Sequence, residues 1–222
     1  MRTHAPKTAK DASPETVFQS KEFKAFAQFH LRDRRLRKYY REWSPLHRAV
    51  WQEDLVAVIC LATKHSVKAV DARGCTPLHL ACLRKGSILF LSSYCEKYCI
   101  ENRHHHCFPG RWGDRVKARQ IAAALIEAGA DPNAMARGPF AFTPMHCVAN
   151  SGWVDVAHVL LENGGSAFSR GQCSPFCWAD GIDISGSYTT TMRELLKAHL
   201  SEAQKREIND HHVHQGFKLL PW

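Results

Sequence analysis

Hydrophobic and polar positions follow one another along this chain with the period of short amphipathic helices, interrupted by turns that carry glycine or proline. Helices are predicted over Asp54–Ala62 (DLVAVICLA), about Ile88–Cys99, Val116–Ala128, Val154–Glu162 and Thr190–Leu200, with a last one over Ser201–Ile208. Upstream, Phe18, Phe23, Phe26, Phe29, Leu36 and Tyr40 recur at roughly helical spacing, which predicts an amphipathic helix over residues 16–42. Residues 1–15 are polar and aperiodic and are read as a disordered lead-in.

One short signature recurs between these helices. Asp71–Ala81 reads DARGCTPLHLA, in which Gly74 permits a turn, Thr76 caps the next helix and Pro77 takes the first helical position, where no amide is needed. Leu78 and Ala81, three apart, then face the core. WSPLHRAV at Trp43–Val50 repeats the signature with Ser44 for threonine, and the step from Ser44 to Thr76 is 76 − 44 = 32. TPMHCVA at Thr143–Ala149 repeats it again, followed by Gly152, the helix VDVAHVLLE and Gly164, at a step of 164 − 143 = 21 from the threonine. Ile121–Asn133, IAAALIEAGADPN, is a second helix with its closing turn, and CSPFCWA at Cys173–Ala179 is a weakened copy with Phe176 for leucine and Cys177 for histidine. Together these residues resemble the ankyrin repeat, a unit of about 33 residues made of a β-turn and two helices, with T-P-L-H-x-A opening the first.

The resemblance implies an all-α fold, an ankyrin-repeat solenoid of stacked helix-turn-helix units with β-turn fingers. The array would occupy 43–200, with repeats starting near 44, 76, 143 and 174, a basic capping helix at 16–42, and a C-terminal helix with a His-rich tail at 201–222. In this family His79 would hydrogen-bond to the backbone of a neighbouring turn, and His47 and His146 are explained in the same way. Regularity fails between Thr76 and Thr143, where the step of 143 − 76 = 67 is close to twice the length of one repeat. The stretch at about 87–115 is either a degenerate repeat or an insertion between the two helices of the second unit, and both readings keep helices near 88–99 and 116–128.

Composition narrows the function. Hydrophobic residues at 45% and charged residues at 23% are those of a folded protein, and no stretch is long and apolar enough to span a membrane. With no apolar leader at the N-terminus, the nine cysteines are expected as reduced thiols in the cytoplasm or the nucleus. The formal charge of +9 favours an acidic partner, with nucleic acid the less favoured candidate, and the run Arg32, Arg34, Arg35, Arg37, Lys38 and Arg41 is read as a solvated helix face ahead of a nuclear-localisation or nucleic-acid patch. No nucleophile with a base and orienting group occurs, nor a glycine-rich phosphate loop, so an enzyme is not expected. No cofactor is expected either, except that Cys95, Cys99, His104 and Cys107 would supply the nitrogen and sulfur ligands that zinc takes. The bland reading of that cluster is a cysteine-bearing helix followed by a polar loop.

The resemblance places recognition on the exposed side of each first helix and on the fingertips. By register these positions are Arg48, Trp51, Gln52, Leu80, Leu83, Arg84, Cys147, Asn150 and Ser151 on the helices, and Arg73, Cys75, Arg137, Phe140 and Phe142 on the fingers. The third finger is longer than its fellows, since Asn133 to Thr143 spans ten steps where eight are usual, and Phe140 on it is an aromatic anchor candidate. The expected function is a monomeric, non-catalytic protein-protein interaction module or adaptor that binds an acidic segment of a partner. Two alternatives stand beside it: a metal- or nucleic-acid-binding protein using the basic helix and the His/Cys loop, and a ubiquitin-ligase substrate adaptor.

Overall fold

The computed structural model describes residues 43–83, 114–137, 141–169, 174–179 and 187–214. The expectations for the N-terminal helix, the helix near 88–99, the zinc candidates Cys95, Cys99, His104 and Cys107, the binding candidates Arg84 and Phe140, and the extreme C-terminus lie outside the described residues.

All regular structure among the described residues is helical. Helix α1 spans Pro45–Gln52 and α2 Leu55–Leu61; a 3-10 turn at Ser66–Lys68 leads to α3, Pro77–Ala81. Helix α4 spans Arg115–Glu127, α5 Pro144–Ser151, α6 Val154–Glu162, α7 Pro175–Trp178, α8 Ser187–Ala198 and α9 Glu202–His214. None is long and apolar enough to cross a membrane.

Local chemistry sets these boundaries. Ser44 caps α1 by accepting the His47 amide at 3.3 Å, Asp54 caps α2 through the Ala57 amide at 3.0 Å, and Asp114 caps α4 through Val116 at 2.9 Å. Proline fills the first position of α1, α3 and α5. The last helix runs past the predicted Ile208 to His214. Ser201 and Gln204 cap each other's amides at its start, and no helix breaker occurs before Gly216, so the helix takes in the first part of the His-rich stretch.

Helices α1, α3, α5 and α7 contact one another in succession, as do α2, α4, α6 and α8, and each member of the first row also packs on its partner in the second. Between the rows lies the core, with Leu46, Val58, Leu78, Ile121, Leu125, Met145, Val156, Leu160, Met192 and Leu196 buried. The α1–α2 and α5–α6 corners match closely. Glu53 and Gly152 both end their helices in the left-handed region, at φ 58° and 67°, and are separated by 152 − 53 = 99.

That separation, three times the length of one repeat, holds only one intervening helix pair among the described residues. Helix α3 touches α5 directly, and α4 touches both α2 and α6. Among the described residues, the pair α3–α4 therefore sits directly between α1–α2 and α5–α6. The irregular segment itself, at about 87–115, lies largely outside the described residues.

Candidate protein-binding surface

The loops that enter α3 and α5 form two fingers with one hydrogen-bonding plan. Asp71 N–H donates to Cys75 O at 2.9 Å, and Ala136 N–H donates to Phe142 O at 2.9 Å. The first finger closes at a step of 75 − 71 = 4 and the second at a step of 142 − 136 = 6, so the second is two longer at its tip.

Each closing carbonyl also receives the histidine of the preceding first helix. His47 Nε2 lies 3.0 Å from Cys75 O, and His79 Nε2 lies 3.3 Å from Phe142 O. A carbonyl oxygen only accepts, so both rings carry their proton on Nε2. The Thr76 amide fixes the same tautomer for His79 by donating to Nδ1 at 3.1 Å, and Thr143 N–H does the same for His146 at 3.0 Å. Burial pushes His79 down to about 4 and lowers His47 as well, so both rings are neutral near pH 7.

Asp71 organises the first finger. Its Oδ1 accepts the amides of Arg73 and Cys75 at 2.9 and 3.0 Å, and its Oδ2 accepts Arg73 Nε at 3.0 Å, an Arg73 terminal nitrogen at 2.6 Å and Trp43 Nε1 at 3.2 Å. Burial opposes the charge, but the Arg73 guanidinium and the two amides outweigh it and hold the carboxyl below its ordinary range.

The two fingers meet at Gly74. Its φ of 75° suits glycine, and a methyl group there would stand 2.4 Å from the Arg137 amide nitrogen. Farther along, the Asn133 side-chain amide donates to Gly164 O at 2.8 Å and accepts Ser166 N–H at 2.8 Å, tying its turn to the next.

The structure corrects several of the expected binding positions. Trp51 is buried, its ring tilted 59° against Trp43 at a centroid distance of 5.4 Å, so the aromatic serves packing at the start of the rows. Leu83 is buried because α3 ends at Ala81 and the Leu83 amide turns back onto Leu80 O at 3.2 Å, so a continued helical register misplaces it. Leu80, Cys75 and Cys147 are buried too; Ser151 is buried with its hydroxyl on Cys82 O at 3.0 Å, and Phe142 lies edge-on to the His79 ring. Arg73 keeps only 11% of its side chain exposed and is held by Asp71. Arg48, Gln52 and Asn150 are half-buried, and Arg137 is exposed.

Two positions that sequence reasoning passed over are open. Val70 and Met135 are 56% and 47% exposed, each immediately before the first paired residue of its finger. Both are large apolar residues at the same place in their turns, a regularity visible once the longer tip of the second finger is set aside. The role of Asp71 was also missed, although an aspartate two before an amide-bearing turn residue is the pattern of a side chain that closes its own turn.

No protein-family model matches this chain, and no curated protein matches it. The surface must be read from its own chemistry. Burial pushes the Cys75 thiol up to about 12 and raises Cys82 and Cys147 as well, which leaves them as packing groups and not nucleophiles. No group of three or more His, Cys, Asp or Glu side chains suited to a metal occurs among the described residues.

Proposed function

We propose that this chain is an ankyrin-repeat array that works by binding a partner protein along its row of fingers. The supporting observation is the coupling of the fingers: His79 to Phe142 O, and Gly74 against the Arg137 backbone, hold both loops at a fixed spacing. A preorganised surface of this kind avoids the entropy cost of ordering loops on binding. It presents Val70, Met135 and the Arg137 guanidinium outward, with the half-buried Arg48, Gln52 and Asn150 on the adjoining first helices. The partner that suits it is an acidic segment with apolar side chains, since the chain carries a net +9 and the exposed finger positions combine apolar groups with a cation.

The test is affinity purification of the full chain beside a Met135→Asp, Arg137→Glu variant. The wild type should recover a protein partner that the variant loses, with thermal stability unchanged. Equal recovery by both would remove the finger row from the binding site. Recovery of nucleic acid without protein, falling steeply with salt, would favour the nucleic-acid reading instead.

A further inference from the structure

The chain has four methionines, of which Met1 lies outside the described residues. Met145 of α5 and Met192 of α8 are both 0% exposed and fill the core between the rows, whereas Met135 is 47% exposed at the start of the second finger. A thioether is oxidised where an oxidant can reach the sulfur, so exposure separates Met135 from the other two. The corresponding place in the first finger holds Val70, a hydrocarbon with no atom to oxidise. An oxidant would therefore alter one finger and leave the other as it is.

The neighbours of Met135 give its oxidation a consequence. Ala136 is buried and its N–H pairs with Phe142 O, and burial alternates along Met135, Ala136 and Arg137, so the thioether and the guanidinium share the outer side of the finger. A sulfoxide is polar and its oxygen accepts hydrogen bonds, whereas the guanidinium only donates them. Oxidation thus removes an apolar contact and sets a new acceptor on the same side as the cation that would meet an acidic partner. The buried thiols are poor competitors for the oxidant. Burial raises Cys75, Cys82 and Cys147 alike, and the thiolate is the form that reacts.

We propose that Met135 is a peroxide-sensitive modification site whose oxidation weakens the second finger as a binding surface. The step is a two-electron oxidation by a hydroperoxide. The sulfur lone pair attacks one peroxide oxygen, an S–O bond forms as the O–O bond breaks, and a proton passes between the oxygens. Sulfur ends as the sulfoxide, and hydrogen peroxide is reduced to water. A methionine sulfoxide reductase with a dithiol reverses the step, giving back the thioether with a disulfide and water. The weakening rests on the binding function proposed above; the oxidation itself does not.

The experiment treats the full chain with hydrogen peroxide and follows each methionine by peptide mapping. Met135 should become the sulfoxide several-fold faster than Met145 and Met192, and equal rates at the three positions in the folded chain would overturn the proposal. The oxidised chain then enters the affinity purification beside the untreated one. Partner recovery should fall several-fold and stay low after dithiothreitol alone, which restores oxidised thiols such as that of the exposed Cys60. It should return after methionine sulfoxide reductase with dithiothreitol. Met135→Gln should recover less partner from the outset and lose nothing further to peroxide. Full recovery by a chain carrying Met135 sulfoxide, or a loss that dithiothreitol alone reverses, would overturn the regulation and leave the finger row as the binding site. Equal recovery by the untreated chain and the Met135→Asp, Arg137→Glu variant would instead remove the binding function and the weakening with it, while the mapping decides the oxidation separately.

Discussion

The two fingers solve one problem with opposite chemistry. Each must present a backbone carbonyl to the histidine of the preceding first helix. The first does so around a buried carboxylate, with Asp71 satisfied by Arg73, two amides and Trp43. The second has alanine where Asp71 stands, a longer tip, and the Phe142 ring against the His79 ring at 5.5 Å. The shared requirement is therefore the carbonyl position, and what fills the loop beneath it is free to vary. An ionic filler and an apolar one should fail under different conditions.

The largest difference is expected from Asp71→Ala. It strands the Arg73 guanidinium, the Trp43 indole N–H and two amides, and removing one partner of a buried ion pair costs about 3–5 kcal/mol. Urea unfolding of the full chain measures it. Asp71→Asn keeps one acceptor oxygen and should cost less than the alanine variant; equal losses would mean that the charge and not the hydrogen-bond geometry holds the finger.

Acid should act first where His79 closes the start of α3. His79 has its folded pKa lowered to about 4, so below its unfolded value near 6.5 the unfolded state takes up a proton that the folded ring refuses. Its contribution to stability is intact above about pH 6.5 and declines as pH falls toward 4, by roughly 3 kcal/mol in all. The Asp71 carboxyl is also lowered, so its contribution is present above its unfolded pKa and is lost only as pH falls through the still lower folded value. Protonation falls on His79 Nδ1, which then no longer accepts the Thr76 amide, whereas Nε2–H can still donate to Phe142 O. Hydrogen exchange at pH 7 and pH 5 should therefore show protection lost at residues 76–80 before 71–75. Loss in the reverse order would mean that the ion pair is the weaker of the two fillers. His79→Gln should flatten the decline.

The parts of this architecture that local chemistry determines were readable from sequence. Ser44, Asp54 and Asp114 cap the helices that follow them, Pro77 and Pro144 open theirs, and the helix at Val154–Glu162 has the predicted limits. What failed depends on neighbours far along the chain. Trp51 and Leu83 lie at positions that a resemblance marks as open, yet a second tryptophan and an early helix end bury them. The long step from Thr76 to Thr143 leaves a degenerate repeat and an insertion both open because spacing only counts positions, and the direct contact of α3 with α5 is information that spacing does not carry. Val70 and Met135 were missed because their shared place appears only after the fingers are aligned through their closing carbonyls.

The smallest and most local test of the finger comparison concerns the glycine between them. If the fingers act as one coupled surface, the Gly74 contact matters beyond its own backbone, and a comparison of two glycines separates these terms. Gly74 and Gly164 have similar dihedrals, φ 75° and 85°, but a methyl group at Gly74 meets the Arg137 backbone whereas one at Gly164 meets open space. Gly164→Ala should therefore cost only the left-handed conformation, about 1 kcal/mol. Gly74→Ala carries that cost and must also push the second finger away, for a total of about 2–3 kcal/mol. The extra loss should travel, with faster hydrogen exchange at Ala136 and Arg137 in the Gly74 variant and none in the Gly164 variant. Equal costs in the two variants would mean that the fingers stand side by side without bearing on each other, and a binding surface that relies on their fixed spacing would lose its basis.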